Sequence, residues 1–473
     1  MTAVIATPRP PEPPLVRRLA LVLLCLLAVV ASGCGSRADT ESADDGGLDA
    51  PSDEQDGGGD EGGGEALGPD SAELGTIANP CSDEPVEGET PADVPGLTDD
   101  TIRIGVISDK ENPAVPLPTV GIEESVTAFV EFCNAAGGIN GRQLELQTYD
   151  SQISRTEEAT NAACRDDLFA LVGTGSVQDQ QGISTREGCG LPEVGAYSAT
   201  TSRALSEDFF SPIPGLDPEQ FNVGPCRYIA EQFPEAVTKA AMVYTDLPAP
   251  RVRGEQTVEA CEAEAGFEFV VQEAIPFGDT DYSALVADMK EKGVEYFSMV
   301  SATTETLALL EEMQTQGVEP EVIDLAQQYY DPAVAEAPVT DGAHVLTNTV
   351  PFVEAAETPV LQLYLDWMEE VGAGEDKIST LGVQAFDAGL LFATAADAAG
   401  ADLTRETLVS ELEGIDEWDG GGLQMTTDPG AGTTQECVLY LTVTDGEFQR
   451  EYPDEGFACD PDNLYTSDQS FES

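Results

Sequence analysis

Apolar and polar residues alternate in short stretches of the chain, and the first of these predicts a β-strand. Residues 102–106 (IRIGV) alternate with a period of two, and 143–147 (QLELQ) repeat the pattern. Between them, the apolar residues of 120–132 recur with helical spacing. Gly137 and Gly138 end that helix, because glycine takes the left-handed C-cap conformation without a steric penalty. Strand, helix and strand in this order form the unit of a parallel α/β sheet.

The same succession continues through most of the chain. Further strands are predicted at 169–172, 192–197, 240–244, 268–272, 296–300 and 321–325. Further helices are predicted at 155–167, 178–188, 225–232, 254–265, 282–292, 303–316, 359–371, 383–399 and 404–412. Stretches 209–217 and 345–351 are predicted crossings, and an antiparallel pair around 437–449 follows. Two α/β series joined by more than one crossing predict two lobes with a cleft between them.

Charge narrows the possible partners. The 473 residues include 20 Lys and Arg against 89 Asp and Glu, which gives a net charge of −69. Nucleic acid and anionic lipid would be repelled, so neither is expected as a partner. We interpret the charge as a solvated acidic surface. The sequence has no D-x-D-x-D-G loop and no C-x-x-C, and His344 is its only histidine, so no metal and no cofactor is expected.

The amino terminus has the features of an export signal. Two arginines precede the apolar run 19–30, and residues 31–34 (ASGC) resemble a bacterial lipobox. The run is too short to span a bilayer. We therefore expect 1–33 to be a lipoprotein signal peptide, and Cys34 to carry the lipid that anchors the protein to the outer face of the cell membrane. An ordinary secretory signal is the alternative.

Cysteine usage agrees with export. Of 10 cysteines, eight lie beyond the lipobox, and an even set in an exported chain predicts disulfides. Many connectivities are possible, and proximity in sequence favours four pairs. These are Cys81–Cys133, Cys164–Cys189, Cys226–Cys261 and Cys437–Cys459.

Composition and the crossings together divide the chain into parts. Residues 34–95, acidic and rich in glycine, are expected to be a flexible tether because they contain too few apolar residues to form a core. Lobe 1 is expected to comprise 96–215 and 349–430. Lobe 2 is expected to comprise 216–348 and 431–473.

Six segments stand out in the order LTDDTIRIGV, NAAGGINGRQLEL, ALVGTGS, LPEVGAYSATTS, FGDTDYSALVADMKEKGVEYF and GVQAFDAGLLFATAADAAG. In this order they resemble the branched-chain amino acid (Leu/Ile/Val-type) substrate-binding proteins of ABC importers. The resemblance runs from 97 to 448, the lipobox and the tether fit it, and actinobacterial lipoprotein receptors look closest. It implies the type I periplasmic-binding fold: α/β, with two Rossmann-like lobes, central parallel sheets and a three-segment hinge near 213–217, 348–352 and 425–432.

The resemblance also implies a function. A receptor of this family would capture a small organic ligand, here an amino acid or an amino-acid-like or amide compound, and deliver it to the membrane permease of an ABC importer. We expect it to act as a monomer. A ligand-sensing receptor that acts with a signalling partner is the alternative. No enzyme is expected, because no G-x-S-x-G surrounds a serine and no carboxylate pair stands out.

In lobe 1, the resemblance implies ligand contacts from groups that follow the third and fourth strands. The positions that match hold Ser176, Gln178, Ser198, Thr200 and Thr201. Hydroxyls and free N–H groups at strand ends can bind a carboxylate without a bulky cation. The alternative is that they are ordinary turn hydroxyls or helix N-caps.

Lobe 2 departs from the family pattern. Thr303 falls where the family has an aromatic residue, and Ala326, beside Gln327, falls where it has the carboxylate that pairs with the ligand's ammonium group. Asp246 is the candidate substitute for that acid, with a plain turn residue as the alternative. Tyr329 is a candidate apolar wall, with a core position as the alternative. The resemblance therefore implies the fold and the transport role, but it does not extend to specificity for amino acids.

Overall fold

The computed structural model of the protein describes residues 66–86, 88–110, 121–215 and 217–472. The expected signal peptide, lipobox and lipidated Cys34 lie outside these ranges. Within them, no helix combines the length and the apolar character needed to cross a membrane.

Strands and helices alternate along the chain. The strands are β1 (Glu73–Leu74), β2 (Ile77–Ala78), β3 (Thr101–Ser108), β4 (Gln143–Asp150), β5 (Ala170–Thr174), β6 (Glu193–Gly195), β7 (Phe209–Phe210), β8 (Gln220–Asn222), β9 (Ala240–Thr245), β10 (Phe269–Ile275), β11 (Tyr296–Val300), β12 (Val322–Leu325), β13 (His344–Leu346), β14 (Cys437–Val438), β15 (Tyr440–Thr444), β16 (Glu447–Tyr452), β17 (Ala458–Cys459) and β18 (Leu464–Thr466). The helices are α1 (Ile122–Ala135), α2 (Thr156–Arg165), α3 (Ile183–Gly188), α4 (Thr201–Ala204), α5 (Gly224–Gln232), α6 (Pro248–Ala265), α7 (Ser283–Lys292), α8 (Thr303–Gln316), α9 (Pro332–Ala335), α10 (Pro359–Glu370), α11 (Thr380–Ala399) and α12 (Arg405–Glu413).

Lobe 1 is built on a five-stranded sheet with the order β4-β3-β5-β6-β7, in which every neighbouring pair is parallel. The two alternating stretches of the sequence pair in this sheet, with Ile102 opposite Leu144 and Ile104 opposite Leu146. Residues of α1, α10, α11 and α12 share one buried cluster with β3 and β5, and α2 packs in another. Helices therefore cover both faces of the sheet, as parallel sheets require.

Lobe 2 is built on a seven-stranded sheet with the order β10-β9-β11-β12-β13-β15-β16. Its first five strands are parallel, and β15 and β16 add an antiparallel edge. Helices α7 and α8 pack in one buried cluster with the sheet, and α5 and α6 pack in another. The predicted α/β fold of two lobes with central parallel sheets is confirmed.

The chain passes between the two sheets three times: after β7, after β13 and after α12. The crossings are bonded to one another. The carbonyl of Pro212 accepts hydrogen bonds from Gln424 Nε2 and from Thr427 Oγ1, each at 2.6 Å. Thr349 forms an isolated bridge with Gln424. Three bonded segments therefore connect the lobes, and in two-lobed folds such segments serve as hinges.

Helix α6 begins at Pro248, well before the predicted start at residue 254. The predicted helix leaves out the segment PAPR, whose two prolines would break a helix interior. In the first turn, however, proline is tolerated, since the N–H that it lacks would have no intrahelical partner there. The additional turns carry Arg253, which lies on the ligand cavity described below.

The expected flexible tether over 34–95 is wrong for its described part. Leu74 is fully buried in the core of lobe 1. Thr76 Oγ1 donates to Asp419 at 2.5 Å, and the Ser82 N–H donates to the carbonyl of Gly138 at 2.7 Å. Cys81 is bonded covalently to α1. One buried leucine and one disulfide thus fix a segment whose composition alone predicted disorder.

The structure contains disulfides between the four pairs expected from proximity in sequence. Cys164–Cys189 joins the end of α2 to the residue after α3, and Cys226–Cys261 joins α5 to α6. The four are Cys81–Cys133, Cys164–Cys189, Cys226–Cys261 and Cys437–Cys459.

Candidate ligand-binding site

A cavity of about 370 Å³ lies between the lobes and extends into lobe 2. Strand ends of lobe 1, the first two crossings, the sheet of lobe 2 and helix α6 all contribute to its lining. Small-molecule sites have volumes of roughly 300–1,000 Å³, and most of their lining is apolar, with a few polar groups that set specificity. The cavity fits that description, with apolar side chains such as Phe221, Met242 and Leu346 in its walls.

The cavity brings together some of the residues proposed from the sequence. Ser198, Thr201 and Gln327 line it. Ser198 follows β6, and Thr201 is the first residue of α4. Gln327 Oε1 accepts a hydrogen bond from Gln384 Nε2 at 3.3 Å, and the same nitrogen donates to Asn348 Oδ1 at 2.9 Å. Gln384 lies on α11 of lobe 1, so these bonds cross the cleft.

The other lobe 1 candidates lie behind the cavity wall. Thr200 is fully buried, and its Oγ1 donates to Asp179 Oδ1 at 2.5 Å and accepts from the Arg203 N–H as the N-cap of α4. Ser176 is 4% exposed and lies outside the cavity lining. Gln178 precedes a short 3₁₀ turn and accepts from Gln181 at 2.5 Å. Thr200 is therefore the N-cap of a helix, which was the alternative to a ligand contact.

The other lobe 2 candidates are also absent from the lining. Asp246 is exposed and pairs with Arg251. Thr303 begins α8 and is 8% exposed. Tyr329 is fully buried, and its hydroxyl accepts the Ser301 N–H at 3.0 Å, so its ring belongs to the core rather than to the ligand wall.

The strand ends of lobe 1 are occupied by the chain's own carboxylates. Asp109 is fully buried and accepts hydrogen bonds from the N–H groups of Ile153 at 2.6 Å and Val177 at 2.7 Å. Asp179 accepts from the Ala199 N–H at 2.7 Å. Backbone groups expected to bind a ligand's carboxylate therefore already have anionic partners inside the lobe.

Burial sets the protonation of these two acids. Burial raises the pKa of Asp109 above its usual range, and this effect exceeds the lowering by the hydrogen bonds from Ser151, Val177 and Ile153. It raises the pKa of Asp179 to about 6, against the charge of Arg203 and the hydrogen bond from Thr200. A second carboxylate beside either acid would raise its pKa further, so both positions disfavour an anionic group.

A buried ion cluster supports the cavity wall of lobe 1. Glu193 of β6 pairs with Arg203 of α4 and, at 3.3 Å, with Arg186, and all three side chains are at most 5% exposed. Burial by itself would raise the pKa of Glu193, but the charges of the two arginines outweigh it and lower the pKa. Because Arg203 belongs to α4, this cluster holds the helix that places Thr201 at the cavity.

Among the described residues that line the cavity, Arg253 and Asp324 carry the charges. Asp324 on β12 accepts hydrogen bonds from Tyr296 at 2.7 Å and from Tyr440 at 3.1 Å. Burial raises its pKa to about 6, against the Tyr296 hydrogen bond and the charge of His344. Asp324 thus has partners within the protein, whereas Arg253 on α6 forms no ion pair with the part of the chain that the structure describes.

Sequence reasoning missed several polar residues of the site. They are Asp109, Asp179, Arg253, Asp324 and Gln384. Arg253 could have been found from the sequence. It shares a helical face with Ala249 and Gln256 if the predicted helix is extended toward the amino terminus through the two prolines. The others depend on contacts between residues far apart in sequence.

Two α/β lobes, joined by three crossings and with a cavity lined by both, form the architecture of this protein. The family profile described as periplasmic binding protein matches residues 101–447. The chain therefore belongs to the periplasmic binding protein family. It is 27% identical over 228 residues to the leucine-, isoleucine-, valine-, threonine- and alanine-binding protein of Pseudomonas aeruginosa, a match that covers 46% of this chain and 59% of that relative's length.

Solved structures share the fold. The branched-chain amino acid transporter substrate-binding protein of Streptococcus pneumoniae, in complex with isoleucine, has 19% identity and a TM-score of 0.61, covering 76% of this chain and 99% of its own. A leucine-binding protein of Thermotoga maritima has 17% identity and a TM-score of 0.63, covering 77% and 100%. An ABC transporter solute-binding protein of R. palustris, in complex with 4-hydroxybenzoate, has 17% identity and a TM-score of 0.63, covering 77% and 98%. The expected resemblance to branched-chain amino acid binding proteins is confirmed.

Proposed function

We propose that this protein is an extracytoplasmic, lipid-anchored receptor that captures a small organic solute and delivers it to an ABC importer. The position of the cavity carries the proposal, because both lobes and the crossings line it. A ligand that contacts both lobes stabilises their closed arrangement by its differential affinity for that state. The closed receptor is then the form that docks on the permease, as a monomer.

The relatives support a small organic ligand. The P. aeruginosa protein is named for five amino acids, and the related structures hold isoleucine and 4-hydroxybenzoate. For this chain we propose an amino acid or an amino-acid-like or amide compound. The lipobox that ends at Cys34 supports the anchor.

A thermal-shift screen tests the proposal directly. The purified protein would be heated with amino acids, primary amides, ureas, short peptides and aromatic acids. One class is expected to raise the melting temperature, since a ligand at 100 times its Kd stabilises the native state by about 2.7 kcal/mol. Calorimetry should then give one bound ligand per chain, and small-angle scattering should give a smaller radius of gyration. If no solute class raises the melting temperature, the receptor function is refuted.

Two further experiments test the anchor and the partner. A Cys34→Ala variant is expected to be released from the cell membrane, while the wild-type protein incorporates labelled fatty acid; equal membrane retention would refute the anchor. In proteoliposomes that hold a cognate importer, the loaded receptor should stimulate ATP hydrolysis. A loaded receptor that leaves the importer unstimulated would instead favour the sensing alternative.

A further inference from the structure

Arg253 is a positive charge that the fold leaves open at the ligand cavity. It lies in the second turn of α6 and is exposed to the cleft, where Leu247, Ala249 and Pro250 place the amino-terminal end of the helix at the lining. The cavity walls desolvate the guanidinium and lower its pKa, and no carboxylate offsets this effect. The positive end of the helix dipole adds to the same field.

The neighbouring Arg251, in contrast to Arg253, has carboxylate partners. Arg251 pairs with Asp246 and, at 3.5 Å, with Glu255, and it lies outside the cavity lining. Asp246 and Glu255, which lie next to Arg251 at the start of α6, are therefore already paired with it. Among the described arginines, Arg253 forms no ion pair, as is also true of Arg142, Arg165 and Arg405, but of these four only Arg253 lines the cavity. Arginine binds carboxylates through two parallel hydrogen bonds, so Arg253 is suited to an anion from outside the chain.

Gln256 supplies a second unsatisfied group on the same helix face. It lines the cavity, is 2% exposed, and its Oε1 has no hydrogen-bond partner in the described structure. Its Nε2 donates weakly to the Asp217 carbonyl, at 3.4 Å. Residues three apart on a helix are side-by-side neighbours, so the unpaired oxygen lies one turn from the guanidinium. Gln384 Oε1, from the other lobe, is likewise unpaired at the lining. A ligand bound beside Gln256 that supplied a donor would satisfy its oxygen.

The opposite wall is unsuited to an anion. The N–H groups of Val177 and Ala199 donate to Asp109 and Asp179, respectively, just behind the lobe 1 lining. A ligand carboxylate placed there would lie beside two acids and find these donors already used. Lobe 2 supplies the positive charge of the lining, Arg253, and the one carboxylate among the described residues of that lining, Asp324, already accepts hydrogen bonds from Tyr296 and Tyr440.

We propose that the cavity takes a small organic acid whose anionic group is bound by Arg253, with an N–H or O–H donor beside it that donates to Oε1 of Gln256. The inference rests on the proposed function and names its ligand class. It also assigns the anionic end of the ligand to lobe 2, whereas the family resemblance placed it on lobe 1. Amino acids and hydroxy acids satisfy both conditions, while simple amides and ureas lack the anion.

Matched ligand pairs test the anion assignment by calorimetry. Leucine would be compared with leucinamide, and 4-hydroxybenzoate with 4-hydroxybenzamide. The acid of the pair that binds is expected to bind more tightly than its amide by about 10- to 100-fold, because a charge-assisted bond to arginine is lost in the amide. An amide that binds as tightly as its acid would overturn the assignment.

Variants of α6 test the residues themselves. Arg253→Gln should weaken acid binding by about 10- to 100-fold while leaving the melting temperature of the free protein unchanged. Arg251→Gln is the matched control on the same helix and should leave binding unchanged. Gln256→Met should weaken binding of leucine but not of 4-methylpentanoate, which lacks the amino group.

The possible failures are distinguishable. If solutes bind but Arg253→Gln binds acids as tightly as the wild-type protein, the anion assignment fails and the receptor function stands. The same holds if Arg251→Gln weakens binding as much as Arg253→Gln does. If Gln256→Met weakens both probes equally, the donor contact fails. Only if no solute binds the wild-type protein does the receptor function fail as well.

Discussion

Replacing Asp387 by asparagine is expected to stabilise the protein at neutral pH but not in acid. Asp387 lies in the middle of α11 and is 1% exposed. Its Oδ1 accepts a hydrogen bond from Trp418 Nε1 at 3.0 Å, and its Oδ2 has no partner among the described residues. Burial raises its pKa to about 8, against the Trp418 hydrogen bond, and the charge of Asp419 adds to the rise.

The sign follows from the two protonation states. The usual aspartate pKa of 3.8 applies to the unfolded chain, so between about pH 4 and about pH 8 the folded state keeps a proton that the unfolded state releases. The free energy of unfolding therefore falls as pH rises through this window, by about 1.4 kcal/mol per pH unit. The accumulated loss is roughly 4 kcal/mol at pH 7. Asparagine stays neutral in both states and keeps an acceptor for Trp418, so it avoids this loss.

Urea unfolding of the wild-type protein and of Asp387→Asn between pH 4 and pH 8 measures the effect. The difference in the free energy of unfolding should grow with pH. Because the net charge of −69 also changes stability with pH, Glu411→Gln, which removes an exposed acid from α12, serves as the control. A difference that is constant across the pH range, or one that Glu411→Gln reproduces, would refute the reasoning.

Three further predictions concern the cavity wall. Glu193→Gln should lower the free energy of unfolding by about 3–5 kcal/mol, measured by urea titration, because two buried arginines lose their counter-charge. Thr201→Val should weaken ligand binding about tenfold, whereas Thr200→Val should lower the melting temperature with little effect on ligand binding, since Thr200 caps α4. Equal behaviour of the two threonine variants would contradict this. Replacing Cys226 and Cys261 by serine should destabilise the protein by about 4 kcal/mol, for a sequence separation of 35; an unchanged unfolding midpoint would contradict it.

The sequence determined the scaffold. Alternation in 102–106 and 143–147, with a helix and two glycines between them, was sufficient to predict β3, α1 and β4, because the period of apolar residues and the backbone freedom of glycine are local properties. The repetition of that unit predicted two lobes. Proximity of cysteines in sequence also named the four pairs that are bonded in the structure, since short loops bring their ends together easily.

The tertiary structure decided which polar groups face the cavity. From sequence, Thr200 and Thr201 are equivalent hydroxyls, yet one caps α4 and the other lines the cleft. Asp109 accepts a hydrogen bond from the Val177 N–H, 68 positions away in sequence, and this contact occupies a backbone donor at the strand ends of lobe 1. Local patterns fix the elements because they involve neighbours along the chain. The polarity of a cavity depends on contacts between distant segments, and only folding brings those segments together.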